Sequence, residues 1–452
     1  MPWSEKSPGH YTRPIGENES MIKTIGERGL PLNREHWSLS FSAQFKSRSK
    51  KDVDIFVKLH KAWKVLRFNN PSLASTAADG LLHYTVPDTQ SLDKWTQDTF
   101  FVIDEDHITP EELIASFKPG PYVTLHYLPR HSQIIIHASH WRTDGIGAIQ
   151  VLDAFFEAAA SNQDPQTLPW GLEVTRLVPS VEEALNIPTT PSPEIKAEAE
   201  KCIATIALTR GAIGVDYLGD STTLPAGTRS ARLRLSESTT EAIKEACKAR
   251  NISIIAAVHA AIAAVNYAAA PEECKKKPYT STIRTTLRSY LPEPYNTPAY
   301  ACGLYTSGLM FQVPASQSWL DNAEQYHHQY ECVLSSEFIQ ARREYASQML
   351  QILSMPLPVP LPTPSEVDIS SIGDAELLMN RTYGTEDDGI DVLGISLGVE
   401  TLTRQMYTFV WIFRGQLEFN LVYNEAYHDA ASAGRLLVLL EDILETELKN
   451  AN

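Results

Sequence analysis

The stretch that decides the fold is QIIIHASHWRTDGIGAIQVLDAFFEAAA, Gln133 to Ala160. Its opening residues, Gln133–Ile136, form a short β-branched run of the kind that makes a buried strand. After the segment HASHWRTDG, the apolar residues Ile146, Ile149, Leu152, Phe155 and Phe156 return at helical spacing. The unit is strand, tight polar loop, helix. Gly145 lets the chain turn sharply into that helix. Asp144 stands at the helix start, where exposed N–H groups and the dipole favour a carboxylate. From there it could pin the loop through the backbone or through an arginine.

The loop carries the strongest chemical signal, His140-Trp141-Arg142-Thr143-Asp144-Gly145. With thirteen histidines and 22 glycines in 452 residues, an HxxxDG string is expected by chance only about 0.03 times. An imidazole titrates near neutrality, so a positioned histidine can take a proton from a hydroxyl, amine or thiol and return it. Such a base is worth about two to four orders of magnitude in rate. The same residues are also compatible with a capped helix behind an ordinary loop histidine. Trp141 and Arg142 flank the histidine and are candidates for a pocket wall.

Helices and strands alternate elsewhere in the chain too. Ser230–Leu235 alternates like a strand, and Ser238 to Glu241 reads as a capping box opening a helix that runs to about Arg250. The alanine-rich run Ile252–Ala270 is broken by Ser253, His259 and Asn266. No window reaches the ~18 apolar residues of a spanning helix, so this run predicts a helix packed inside a domain. Tyr407–Phe413 and Leu417–Tyr423 alternate around Arg414-Gly415-Gln416, which predicts a β-hairpin. A last helix, Ala430 to Lys449, carries Leu436, Leu437, Leu440, Ile443 and Leu444 on one face. No short-period repeat is visible, which excludes solenoids and propellers. The class is α/β.

Length alone allows about three domains, or two large ones. A Pro- and Ser-rich stretch from Leu177 to Arg229 interrupts any long periodic element. It divides the chain into an N-terminal lobe at 1–180 that carries HxxxDG, a linker at 181–229 and a C-terminal lobe at 230–452. Met355–Pro364, MPLPVPLPTP, places proline at every second position and predicts a polyproline-like strap. The strap is either a surface crossing or a docking peptide.

Thirty-nine basic against 55 acidic residues give a net charge of −16. That balance argues against nucleic acid as a partner, since a phosphate-backbone binder needs a basic face. It disfavours an anionic membrane surface for the same reason. The N-terminal MPWSEKSPGHYTRP has no apolar h-region, so no secretory signal is expected. Five scattered cysteines (Cys202, Cys247, Cys274, Cys302, Cys332) without a CxxC predict neither a disulfide framework nor a zinc ribbon. A reducing, cytoplasmic setting is the expectation.

Other possible sites weigh less. Gly394-Ile395-Ser396-Leu397-Gly398 matches the GxSxG nucleophile elbow. His428 is the only later histidine, no aspartate lies between it and Ser396, and too little chain follows for the rest of a hydrolase fold. A glycine-flanked strand start is the better reading. His137 and His140 could mimic part of a zinc site with Asp144, but a backbone-bonded strand histidine explains His137 better, and no metal is expected. His327 and His328 belong on the solvated face of an amphipathic helix. Lys275-Lys276-Lys277 either forms a wet loop or attracts a phosphate.

HxxxDG behind a buried strand resembles the active-site motif of the CoA-dependent acyltransferase superfamily, which includes chloramphenicol acetyltransferase, plant alcohol acyltransferases and peptide-synthetase condensation domains. SHWRTDGIGA is most similar to the fungal trichothecene 15-O-acetyltransferase branch. RFNNPSLAS (Arg67–Ser75), STIRTTLRSYLPEPY (Ser281–Tyr295), GLYTSGLMFQV (Gly303–Val313) and FRGQLEFNLVYNEAYHDA (Phe413–Ala430) fall in the expected order, so the resemblance spans nearly the whole chain. It implies two chloramphenicol-acetyltransferase-like lobes, each a mixed sheet flanked by helices, with an active-site tunnel between them. Acyl-CoA and acceptor would meet at His140, acting as general base for direct transfer. The residue at Asp144 is structural in this family, usually paired with an arginine, for which Arg288 is a candidate. Tyr305, Thr306 and Ser307 fall on a strand of the second lobe that lines the tunnel in related enzymes. A hydroxyl there could bond the developing oxyanion, or the residues simply build the strand. The cofactor-binding residues are not legible.

Two departures matter. Ser139 stands where condensation domains carry a first histidine, which favours the acetyltransferase branches. The plant branch ends in a DFGWG motif, whereas Asp391–Gly394 reads DVLG. The function implied is an acetyl-CoA-dependent O-acetyltransferase acting on an alcohol of a secondary metabolite, a terpenoid such as a trichothecene. It would work as a monomer, with acetyl-CoA as co-substrate and no bound cofactor. Two alternatives remain: a condensation-like enzyme taking its acyl group from a carrier protein, and a non-catalytic two-lobed binding protein.

Overall fold

The computed structural model describes residues 2–49, 55–161, 163–315, 317–355 and 365–449. It divides into two compact units that interleave along the sequence. The first comprises Met1–Ile187, Thr286–Thr306 and Ala375–Val399; the second comprises Pro188–Thr285, Ser307–Asp374 and Glu400–Asn452. A linear division at 180 and 230 misses this interleaving. Thr286–Thr306 and Ala375–Val399 follow the supposed linker yet build the first unit. Residues 188–229 belong to the second, and they are not featureless. Ser192 caps the helix Pro193–Ala204, with proline at its first position, where its missing N–H costs nothing.

The first unit is built on a six-stranded sheet. Its order is Thr382–Gly384, Gly389–Val399, Leu39–Ser47, Gln133–Ala138, Thr124–Leu128, Phe100–Val102. All neighbours are antiparallel except the last pair. The register sets Phe41 opposite Ile136 and Ala43 opposite Ile134, so one face is apolar. The helix Gly145–Ala160 contributes Ile149, Leu152, Phe155 and Phe156 to the core. The ring of Phe156 meets Phe45 of the sheet at 5.7 Å between centroids. Beside it lies the helix Ile55–Asn69, whose Trp63 stacks on Trp95 at 5.4 Å. On the opposite face of the sheet, Ile135 and Leu128 pack with Leu113.

The second unit has a four-stranded sheet in the order Val367–Asp374, Met406–Phe413, Gln416–Asn424, Thr228–Arg234. The expected hairpin is present, with Phe413 opposite Gln416. Its two-residue turn, Arg414 and Gly415, has φ of 53° and 72°, the double left-handed geometry that matches strand twist. The helices Glu237–Ala249, Ile254–Ala269, Trp319–Cys332 and Ala430–Lys449 complete it. The N-cap of the first of these lies two residues before the expected one at Ser238, with Ser236 accepting from the Thr239 N–H. No single helix among the described residues is long and apolar enough to cross a membrane. Beyond Met355, the proline-rich strap lies outside the described residues.

Candidate active site

The strand Gln133–Ala138 ends two residues before the motif, and within the expected tight loop HWR forms a single turn of 3-10 helix (His140–Arg142). Thr143 returns to extended backbone, and Asp144 caps the following helix by accepting from the Gly147 N–H at 3.0 Å. His140 is half-buried. Its Nδ1 lies 3.1 Å from the Thr143 carbonyl oxygen. A carbonyl can only accept, so this hydrogen bond requires Nδ1 to carry the proton. In the neutral ring the lone pair is then on Nε2. The motif's own backbone thus selects the tautomer.

Asp144 is almost wholly buried. Its Oδ1 also accepts from Arg288 Nη1 at 2.5 Å, and its Oδ2 accepts from the same nitrogen at 2.7 Å and from the Tyr305 N–H at 2.8 Å. Arg288 Nη2 donates to the Gly303 carbonyl at 3.0 Å. The expected arginine partner is therefore in place. This carboxylate ties the motif to Thr286–Thr306, the segment that returns to the first unit. A buried pair holds only when its remaining hydrogen-bonding capacity is filled, as here. Thr143 Oγ1 adds a bond to the Ala301 carbonyl at 2.8 Å.

Several expectations change. Gly145 is the first helical residue and has no left-handed φ. The glycine the packing demands is Gly147, where a Cβ would collide with the Ala301 carbonyl oxygen and Thr143 Oγ1. Trp141 is buried under the Arg142 guanidinium, 4.1 Å from its ring centroid. Arg142 donates to the carbonyls of Ser75 at 2.8 Å and Pro121 at 2.6 Å, and burial pushes its pKa down to about 10. Ser75 closes the stretch RFNNPSLAS, so that segment supports the motif directly. The Tyr305 side chain has no exposed surface and its hydroxyl donates to the Pro179 carbonyl at 3.0 Å. It is an anchor, not an open pocket group. Thr306 and Ser307 begin the strand Thr306–Val313, and the Ser307 hydroxyl lies 3.1 Å from that of Thr285 in the second unit.

Ser396 lies inside the strand Gly389–Val399, opposite Ser42. A nucleophile elbow needs a strand-to-helix turn, which this strand lacks. His137 is buried against Phe117, with ring centroids 4.5 Å apart, and burial lowers its pKa to about 4. Its Nε2 has no hydrogen-bond partner, so the backbone bond expected there is not made by that nitrogen. No group of three or more His, Cys, Asp or Glu among the described residues is placed to hold a metal ion. Lys275 pairs with Glu272 and Lys277 with Cys274 Sγ; His327 and His328 meet Glu331 and Cys332. Burial pushes the Cys302 thiol up to about 12, which leaves it protonated and inert. One contact had no sequence signal: Ser139 Oγ donates to Glu35 Oε2 at 2.9 Å, across 104 positions.

No protein-family model matches the chain. Acetyltransferase pigO of Monascus ruber is 54% identical over 452 residues, covering 99% of this chain and 98% of the relative. O-acetyltransferase pigM of the same fungus is 32% identical over 451 residues, covering 99% and 87%. Azaphilone biosynthesis cluster protein M of Aspergillus terreus is 31% identical over 324 residues, covering 70% and 78%. Among solved structures, trichothecene 15-O-acetyltransferase of Fusarium sporotrichioides superposes with a TM-score of 0.81 at 16% identity, covering 98% of this chain and 97% of that one. The condensation domain of the Monacolin K polyketide synthase MokA superposes with a TM-score of 0.65 at 11% identity, covering 97% and 98%. Fold and relatives together define an acyltransferase of the CoA-dependent acyltransferase and condensation-domain superfamily. Within it, the chain belongs to the family of fungal acetyltransferases that contains pigO and pigM.

Proposed function

We propose that the protein is an O-acetyltransferase that moves the acetyl group of acetyl-CoA to a hydroxyl of a fungal secondary metabolite, with His140 as general base. The observation that carries this reading is the Nδ1–H bond from His140 to the Thr143 carbonyl, which leaves Nε2 to accept a proton. Nε2 takes the proton of the acceptor hydroxyl as its oxygen attacks the thioester carbonyl. The carbon–sulfur bond then breaks, and the imidazolium returns the proton to the departing thiolate. The products are an acetate ester and the free CoA thiol. Asp144 stays out of these steps, since its oxygens are committed to Arg288, Gly147 and Tyr305.

For the acceptor, the sequence relatives favour an azaphilone over a terpenoid. The trichothecene enzyme shares 16% identity, a level that speaks for the fold, whereas a protein of an azaphilone cluster shares 31%. An alcohol on an azaphilone-type polyketide is the acceptor this supports. The test is incubation with acetyl-CoA and a panel of azaphilone and trichothecene alcohols, reading thiol release and acetylated product by mass spectrometry. Transfer from acetyl-CoA to an azaphilone alcohol is expected. Transfer only to trichothecenes would overturn the acceptor assignment. Transfer only from an acylated carrier protein would overturn the donor assignment in favour of the condensation-like reading.

A further inference from the structure

The segment between the helix Glu17–Glu27 and the strand Leu39–Ser47 is short, and its features converge on one side chain. Asn33 and Trp37 both adopt left-handed backbone, with φ of 54° and 65°. For a bulky residue such as tryptophan that conformation is costly and persists only where the surroundings hold it. Gly26 lies inside the preceding helix, where glycine costs about 1 kcal/mol relative to alanine. A Cβ at that position would come within 3.1 Å of Glu35 Cγ and 3.2 Å of the His36 carbonyl oxygen. The glycine therefore lets the loop close against the helix. Closure is fastened by the His36 N–H to the Gly26 carbonyl at 3.0 Å and by the His36 ring stacked on Trp37 at 5.0 Å. This construction presents Glu35 to Ser139.

A second observation comes from the motif. Ser139 occupies the N-cap of the His140–Arg142 turn, yet its side chain makes no cap bond. Its hydroxyl instead donates to Glu35 Oε2 at 2.9 Å, on a different segment of the chain. His140 is thus held from two sides, through Ser139 on the preceding residue and through Nδ1 on the Thr143 carbonyl.

We infer that Glu35 is a positioning residue for His140, acting through the hydroxyl of Ser139 to fix the backbone that aims the imidazole. The inference rests on the reading of His140 as the base. A displacement of about 1 Å at a reacting group costs up to about a hundredfold in rate, so a fixed anchor one residue away is worth its strained loop.

The test compares Glu35→Ala, Ser139→Ala, the double variant and Glu35→Gln, with thermal unfolding as a folding control. Glu35→Ala and Ser139→Ala should each lower kcat about ten- to a hundredfold with KM changed less than about threefold. The double variant should be no worse than either single one. Glu35→Gln keeps an acceptor oxygen for Ser139 and should restore kcat to within about threefold. A Glu35→Gln variant as impaired as Glu35→Ala would overturn the positioning role and indicate a need for the charge. Full activity in Glu35→Ala, alongside an inactive His140→Ala, would overturn the inference and leave the proposed function standing. A readout independent of turnover completes the set: NMR of histidine-labelled protein should show a slowly exchanging His140 Nδ1–H in the wild type and Glu35→Gln. Its exchange should accelerate in Glu35→Ala. Unchanged exchange there would refute the anchor even if no substrate is accepted.

Discussion

Arg288 grips Asp144 with one guanidinium nitrogen, Nη1 lying 2.5 Å from Oδ1 and 2.7 Å from Oδ2, and both side chains are buried. Breaking a buried pair from one side leaves a charge uncompensated, at a cost of about 3–5 kcal/mol. Asp144→Asn should therefore lower stability by that order, measured by urea unfolding, and reduce acetyl transfer in parallel. A purely kinetic defect at wild-type stability would contradict the structural role of Asp144.

Gly147→Ala should be damaging although it is a helix-favouring change. The added methyl group meets the Ala301 carbonyl oxygen and Thr143 Oγ1, and comes within 2.7 Å of Arg288 Nη2. Overpacking of this kind costs about 1–3 kcal/mol. Activity should fall with stability, because the displaced atoms hold the motif. The same change at Gly145, which has no left-handed φ, should be milder. Thermal unfolding of the two variants side by side decides the ranking.

Acid should weaken the fold through buried neutral histidines. Burial pushes His137 down to about 4 and His126 and His259 to about 3, whereas an unfolded histidine titrates near about 6.5. Between those values the unfolded chain binds more protons than the folded one, so stability rises with pH. The contribution of His137 is complete above about pH 6.5 and is lost as pH falls toward 4, about 3 kcal/mol in all. His137→Gln should flatten the dependence of unfolding free energy on pH in that window. An unchanged slope would mean that His137 already titrates normally.

Glu366 predicts the opposite trend. Burial, and then the charge of Asp368, push its carboxyl up to about 8, and Gln405 Nε2 donates to it at 2.6 Å. The folded state keeps a proton that the unfolded state has released. Stability from this group is therefore lost as pH rises from about 4.5 to 8. Glu366→Gln should be the more stable protein at pH 8, by about 4 kcal/mol, and should approach the wild type at pH 5. Denaturant midpoints at the two pH values test this.

The parts of the fold that sequence made legible are those with local causes. A β-branched run marks the strand at Gln133–Ile136, which extends to Ala138, while helical and period-2 spacing mark the helix behind it, the hairpin across Arg414 and Gly415, and the helix Ala430–Lys449. Two local signals were present but obscured: Ser192-Pro193 opens a helix inside a proline-rich stretch, and Ser236 caps ahead of Ser238. The interleaving of the units depends on tertiary packing and leaves no periodic trace. Of the site, the imidazole, the carboxylate and a candidate arginine could be read from spacing and resemblance. The burial of Tyr305 is not legible in the sequence, because its phenol donates to the Pro179 carbonyl, a bond set by packing. The contact of Glu35 with Ser139 leaves no sequence signal, because its loop uses left-handed Asn33 and Trp37 where sequence rules expect glycine.

The most direct measurement is the rate of acetyl transfer from labelled acetyl-CoA by the wild type and by His140→Ala, with unfolding curves confirming that both are folded. Loss of the base should reduce kcat by about two to four orders of magnitude while the unfolding transition stays in place. A folded His140→Ala variant that turns over at the wild-type rate would contradict the assignment of the proton-accepting group.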